Sequence, residues 1–193
     1  MRRRGKVAVF VMLIGVALSL YWPPPSALAK AEILSGTVLE PDHKPVIEGP
    51  AVAEHAVVKG ILTAFKRAEE ALQARDIDAL MAIYSKGYNY HGLRKSDMRK
   101  IWGELFTHYR QISTTHLFTT IRTVESGSDL TAEIARTGAL WATVGATGQR
   151  VTIDSWYGEV HHLVNEDGMW RLRGSVGEAP TVLPFGTAPH PLF

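Results

Sequence analysis

The stretch "GEVHHLVNEDGMWRLRG", residues 158–174, sets His161 and His162 side by side, just beyond Glu159. A histidine pair beside a carboxylate could hold a metal ion or serve as a general base. The run around it reads as a strand, however, and neighbouring side chains of a strand leave on opposite faces. His161 then shares a face with Glu159 and Leu163, and His162 with Val160 and Val164. The pair cannot clamp one ion, no H-E-x-x-H spacing occurs elsewhere, and no metal is expected.

A second set lies in "YNYHG". Proton abstraction beside a carbonyl needs a base in an apolar cavity and a donor for the developing oxyanion. His91 is a candidate base, with Tyr88 or Tyr90 as donor, although the plainer reading of these rings is pocket wall. The third set is the charge on the later strands: Arg122, Glu133, Arg136, Asp154, Glu159, Arg171 and Arg173. Asp154 shares parity with Trp156 and His162, and Arg136 with Ile134, Leu140 and Ala142. A charge among large apolar side chains is either buried and paired or reaching for a ligand. Asp154 is therefore the second candidate base, and cross-strand ion pairing, Asp154 with Arg136 included, is the alternative. A G-x-S-x-G elbow is absent, and "GATGQR" lacks the lysine of a phosphate loop, so no cofactor is expected either.

The elements that must position these groups follow from composition and period. The chain has 193 residues, 46% hydrophobic and 21% charged, which suits one globular domain with extensions. Its formal charge of +2 is exceeded by Arg2, Arg3, Arg4 and Lys6 alone, so the body carries no basic footprint for nucleic acid. With no cysteine, disulfides, thiol catalysis and thiolate zinc sites are excluded. The cationic start, the apolar run Val7 to Leu20 and the Ala27-Leu28-Ala29 end together read as an export signal over residues 1–29. The alternative is a retained N-terminal membrane anchor.

Residues 30–52 are punctuated by Pro41, Pro45, Gly49 and Pro50 and read as an irregular leader, with room for one short strand at "GTVLE". Val57, Ile61, Ala64, Phe65, Ala68 and Leu72 then keep helical spacing. Asp76 reads as the cap of a short second helix, and Ser96 as the cap of a third that runs from Met98 through Tyr109 to Ile112. After Ser113 four Thr-, Val- and aromatic-rich segments alternate with "SGSD", "GATG" and "NEDG" turns, a meander of antiparallel strands. The proline-bearing tail, 177–193, reads as an extension.

"ALQARDIDALMAIYS" and "NEDGMWRL", in that order, resemble the second helix and closing hairpin of the nuclear transport factor 2-like superfamily, which includes SnoaL-like cyclases and ketosteroid isomerase. The resemblance covers 53–176. It implies an α+β fold of three N-terminal helices packed on a strongly curved antiparallel sheet, a cone-shaped, cystatin-like α+β barrel with an apolar pocket at its open end. It also implies dimerisation through the outer sheet face. The isomerase's aspartate is missing: Asn89, Tyr90 and His91 stand where it would be expected. On the tryptophan's parity in the last strand, Leu172, Gly174 and Val176 replace the family's usual polar residues.

These readings converge on an exported binder of a small apolar or amphipathic molecule, with catalysis not established. Its pocket would draw on Tyr84, Tyr88, Tyr90, Trp102, Phe106, His116, Phe118, Trp141 and Trp156. The alternatives are a metal-free lyase, isomerase or cyclase using His91 or Asp154, and an exported scaffold or dimerisation domain.

Overall fold

Threonine, valine and isoleucine dominate the chain from Tyr109 onward, and β-branched residues suit a pleated, half-buried surface. In the computed structural model, which describes residues 30–126 and 129–174, this sequence forms a meander. Its strands, numbered in chain order after four earlier ones, are β5 (Tyr109–Ser126), β6 (Asp129–Val144), β7 (Arg150–Glu166) and β8 (Met169–Leu172). All three consecutive pairs run antiparallel, as the tight turns require. Asp167 (φ 55°) and Gly168 (φ 76°) close the last hairpin, the two left-handed residues that a two-residue turn needs.

The segment expected as a leader is instead a strand for much of its length. β1 (Lys30–Pro41) lies beside β5 and runs parallel to it, while β2 (Ile47–Glu48) pairs with the end of β1. The six strands run in the order β2-β1-β5-β6-β7-β8, so the sheet is mixed rather than wholly antiparallel. Thr37 Oγ1 donates to the Phe118 carbonyl at 2.6 Å, and Leu39 is fully buried. A parallel partner brings no hairpin turn to read, and Gly36 and Pro41 dilute the strand pattern.

Among the described residues four α-helices, not three, precede the meander: α1 (Pro50–Glu54), α2 (Ala56–Ala74), α3 (Ile77–Leu80) and α4 (Lys95–His108). Val58, Ile61, Phe65, Ala68 and Leu72 form the buried stripe of α2. Asp76 caps α3 as expected, accepting from the amides of Asp78 and Ala79. α4 starts earlier than Ser96, with Arg94 at the cap, whose amide donates to the Asp97 carboxylate at 3.0 Å. It also stops earlier, because Ile112 belongs to β5. Between α3 and α4, "YNYHG" forms a small hairpin, β3 (Asn89–Tyr90) with β4 (Leu93–Arg94).

The helices cover the concave face of the sheet. Phe65, Leu72, Leu80, Met98, Trp102, Phe118, Ile121, Ile134, Leu140 and Leu163 meet there in one core. Among the described residues no helix is long and apolar enough to cross a membrane. The expected signal (1–29) and tail (177–193) lie outside the described residues.

Candidate functional site

The meander buries a charge. Arg136, on the inner face of β6, is fully buried among Phe65, Phe118 and Trp156. Its guanidinium carbon stands 4.4 Å over the Trp156 ring. One terminal nitrogen lies 2.5 Å from His116 Nδ1 on β5, and the other 2.8 Å from His161 Nε2 on β7. A guanidinium can only donate, so both ring nitrogens must be lone-pair acceptors. Both imidazoles are therefore neutral, and their tautomers are set.

His116 carries its proton on Nε2, which donates to Thr114 Oγ1 at 3.0 Å. With that oxygen accepting from His116, the Thr114 hydroxyl hydrogen is free to go to Glu69 Oε2 on α2. On the other side Glu159 lies directly opposite Arg136 in the β6–β7 ladder. Glu159 Oε1 accepts from the Tyr90 hydroxyl at 2.8 Å, and the Tyr90 ring stacks on His161. One polar chain thus runs from Glu69 on α2, across the core, to Tyr90 on β3.

The electrostatics follow from this arrangement. Burial pushes the His116 imidazole well below its ordinary value, and the charge of Arg136 pushes it further. The same two causes lower His161 to about 4, against an opposing pull from Glu159. Burial lowers Arg136 itself to about 10, partly countered by Glu159, so it stays charged at neutral pH. For Glu159, burial works upward but is outweighed by its polar neighbours, the Tyr90 hydroxyl and the charge of Arg136 among them, which leave the carboxyl below its usual range. At Glu69 burial prevails over the hydrogen bonds from Thr114 and Gln73 and raises the carboxyl.

Strand alternation does not by itself predict these faces. Between Arg136↔Glu159 and Gly138↔Trp156, β7 carries one residue more than β6, a bulge at Tyr157–Gly158 with Gly158 at φ 61°. It turns Trp156 to the inner face together with Glu159 and His161, not with His162 as simple parity expects. His162 points away, toward Glu133 at 3.6 Å. Room for the Trp156 ring comes from Gly138, where an added Cβ would lie 1.9 Å from the Thr115 carbonyl oxygen and 2.8 Å from Trp156 Nε1.

The remaining aromatic candidates fall into separate places. Tyr84 accepts from Trp102 Nε1 at 2.8 Å, and its ring meets Tyr88 edge-on at 4.9 Å. All three are buried side chains of the core. Phe106 is half-buried below Trp102, with Arg75 over its ring. Trp141 lies on the face of β6 opposite the buried Leu140 and Ala142, with Arg150 over it. Of the two candidate bases, His91 sits in the β3–β4 turn at φ 48°, edge-on to Tyr90. Asp154 is half-buried and accepts from the Ser155 amide.

Where the polar chain reaches Glu69 a cleft of about 450 Å³ opens between α2, β5 and the start of β1. Ala31, Leu62 and Phe65 form its apolar wall, and Glu69, Thr114 and His116 its polar floor. Of the residues singled out from sequence, His116 alone lines it.

No family profile and no curated protein sequence matches the chain. Solved structures do resemble it. A conserved protein from Planctomyces limnophilus superposes with a TM-score of 0.50 at 15% identity, over 62% of this chain and 93% of that one. A ketosteroid isomerase-like protein from Erwinia carotovora atroseptica gives 0.44 at 18% identity, over 62% and 93%. A member of the nuclear transport factor 2-like family from Streptomyces avermitilis gives 0.39 at 13%, over 61% and 91%. The chain shares its fold with the Planctomyces limnophilus protein. At these identities the likeness is one of fold, and the fold does not choose a function.

Sequence reading passes over Glu69 and Thr114 and leaves Arg136 and Glu159 as strand charges among several. A signal for Glu69 was present: it stands four residues after Phe65 and one after Ala68, a carboxylate at the margin of the apolar stripe of α2.

Proposed function

We propose that this protein binds a small amphipathic molecule in the cleft between α2, β5 and the start of β1. One observation carries the reading: the cleft joins an apolar wall to a polar floor whose donors and acceptors are already fixed. The buried chain from Arg136 through His116 to Thr114 sets the direction of each hydrogen bond before a ligand arrives. A preformed, mostly apolar hollow with a few oriented polar groups is the usual form of a small-molecule site. Apolar burial on Leu62 and Phe65 would supply affinity, and Glu69 with its neighbours would supply orientation.

Leu62→Trp fills the cleft without touching the polar chain, which makes it the test. Mass spectrometry of organic extracts from the purified protein should find a retained small molecule that Leu62→Trp, folded by circular dichroism, lacks. A retained molecule whose amount is unchanged in that variant refutes the site. The cationic start and Ala27-Leu28-Ala29 support an exported binder. A mature N-terminus at Lys30, read by terminal sequencing, is the expected result, and an intact Met1 overturns it.

A further inference from the structure

Resting on the cleft as the ligand site, we infer that the ligand is an amphipathic organic cation whose ammonium group meets Glu69. Among the described residues three charged side chains line the cleft: Lys66, Glu69 and Glu70. Lys66 and Glu70 are mostly exposed and pair with each other at 3.8 Å, one helical turn apart. That leaves Glu69 as the charge at the floor.

Its two oxygens accept from neutral donors only, Gln73 Nε2 at 3.0 Å, the Thr114 hydroxyl and the Thr114 backbone amide. Glu69 makes no ion pair among the described residues. All three act as donors to the carboxylate. Thr114 receives the His116 proton, and His116 cannot become a cation while Arg136 donates to its other nitrogen. The described residues therefore supply dipoles to this carboxylate and no compensating charge, and burial accordingly raises its proton affinity.

A carboxylate offers about four lone-pair sites, and three donors leave one of them open. An ammonium head brings up to three donors and the missing positive charge, and charge-assisted hydrogen bonds are about twice as strong as neutral ones. A carboxylate ligand would face like-charge repulsion on the same floor. An alcohol would be accepted, but with the weaker bond. The wall formed by Ala31, Leu62 and Phe65 requires an apolar body beside the head.

Isothermal calorimetry with three probes of similar shape tests this: phenethylammonium, phenethyl alcohol and hydrocinnamate, each against the purified protein at neutral pH. Phenethylammonium should bind about tenfold more tightly than the alcohol, the gain of one charge-assisted hydrogen bond. Hydrocinnamate should bind most weakly. Glu69→Gln keeps the size and the Thr114 contact, so it should fold normally and bind the ammonium and the alcohol equally. Equal binding of all three probes by the natural protein, abolished by Leu62→Trp, overturns the charge assignment and leaves the cleft standing. A preference for ammonium that survives Glu69→Gln also overturns it. If none of the three binds, both the cleft and the charge assignment fall.

Discussion

Replacing Arg136 by methionine tests the buried network most directly. Methionine keeps the length and fills the space beside Trp156 and Phe65, so packing loss is small and the perturbation is electrical. His116 Nδ1 and His161 Nε2 lose their donor, and Glu159 loses the cation opposite it. Removing one partner of a buried ionic set costs about 3–5 kcal/mol, because the other charge stays desolvated. For a domain of this size about 1 kcal/mol moves the melting temperature by roughly 2–4 °C, so the expected loss is roughly 6–20 °C. Urea unfolding at neutral pH, alongside thermal unfolding, measures both. The pair Arg136→Met with Glu159→Gln should recover a substantial part of the loss, since the stranded carboxylate is gone. In the single variant, NMR titration of His116 should show its pKa rising once the neighbouring positive charge is removed. A loss under about 1 kcal/mol, or a double variant no better than the single, would refute the account of a charge held by its neighbours.

Acid should weaken the fold before carboxylates of ordinary pKa are protonated. His161 titrates at about 4 in the folded chain against an ordinary 6.5, and His116 is lowered too. Between those values the unfolded chain binds more protons, so the stability they contribute is complete above about pH 6.5 and is lost as pH falls toward 4. Glu69 acts oppositely, because its raised value makes the folded state the better proton binder as pH falls. Glu69→Gln should therefore steepen the acid-side loss: a variant whose urea midpoint stays flat from pH 6.5 to 4 would contradict the histidine assignment, and one no steeper than the natural protein would contradict the Glu69 assignment. Gly138→Ala places a methyl group against the Thr115 carbonyl, which the β5–β6 ladder holds in place. It should cost about 1–3 kcal/mol or more in urea unfolding, with a change in tryptophan fluorescence as Trp156 shifts. An unchanged midpoint and spectrum would show that the ring does not depend on that gap.

Local chemistry made much of this fold legible. The Asp76 cap, the apolar stripe of α2 and the left-handed Asp167-Gly168 turn each depend on residues within a few positions, and each stands where the sequence indicates. β1 did not, because its partner lies some eighty residues away and no turn joins the two. The face of Trp156 was misread for another reason. Period-two alternation fails at a bulge, and Gly158, whose φ of 61° suits the extra residue, was the visible clue. Arg136 was harder still. Its type, on a strand bearing several charges, resembles any solvent-facing ion pair, and only the assembled sheet shows two imidazoles converging on it. Glu69 was legible as an acidic residue on a helix, but its meaning depends on Thr114, which another element brings.

The parallel placement of β1 has a consequence for the order in which the molecule forms. Each hairpin of the meander closes over a few residues, whereas joining Thr37 to the Phe118 carbonyl spans 81 positions. Loop closure over that distance carries an entropy cost that contact with an already formed strand must offset, so β5 has to be in place first. Ala31, at the head of β1, is the residue through which this late strand walls the cleft. The proposed binding surface is thus completed by a strand that docks late, and a chain arrested just before that step would hold its buried arginine without the finished cleft.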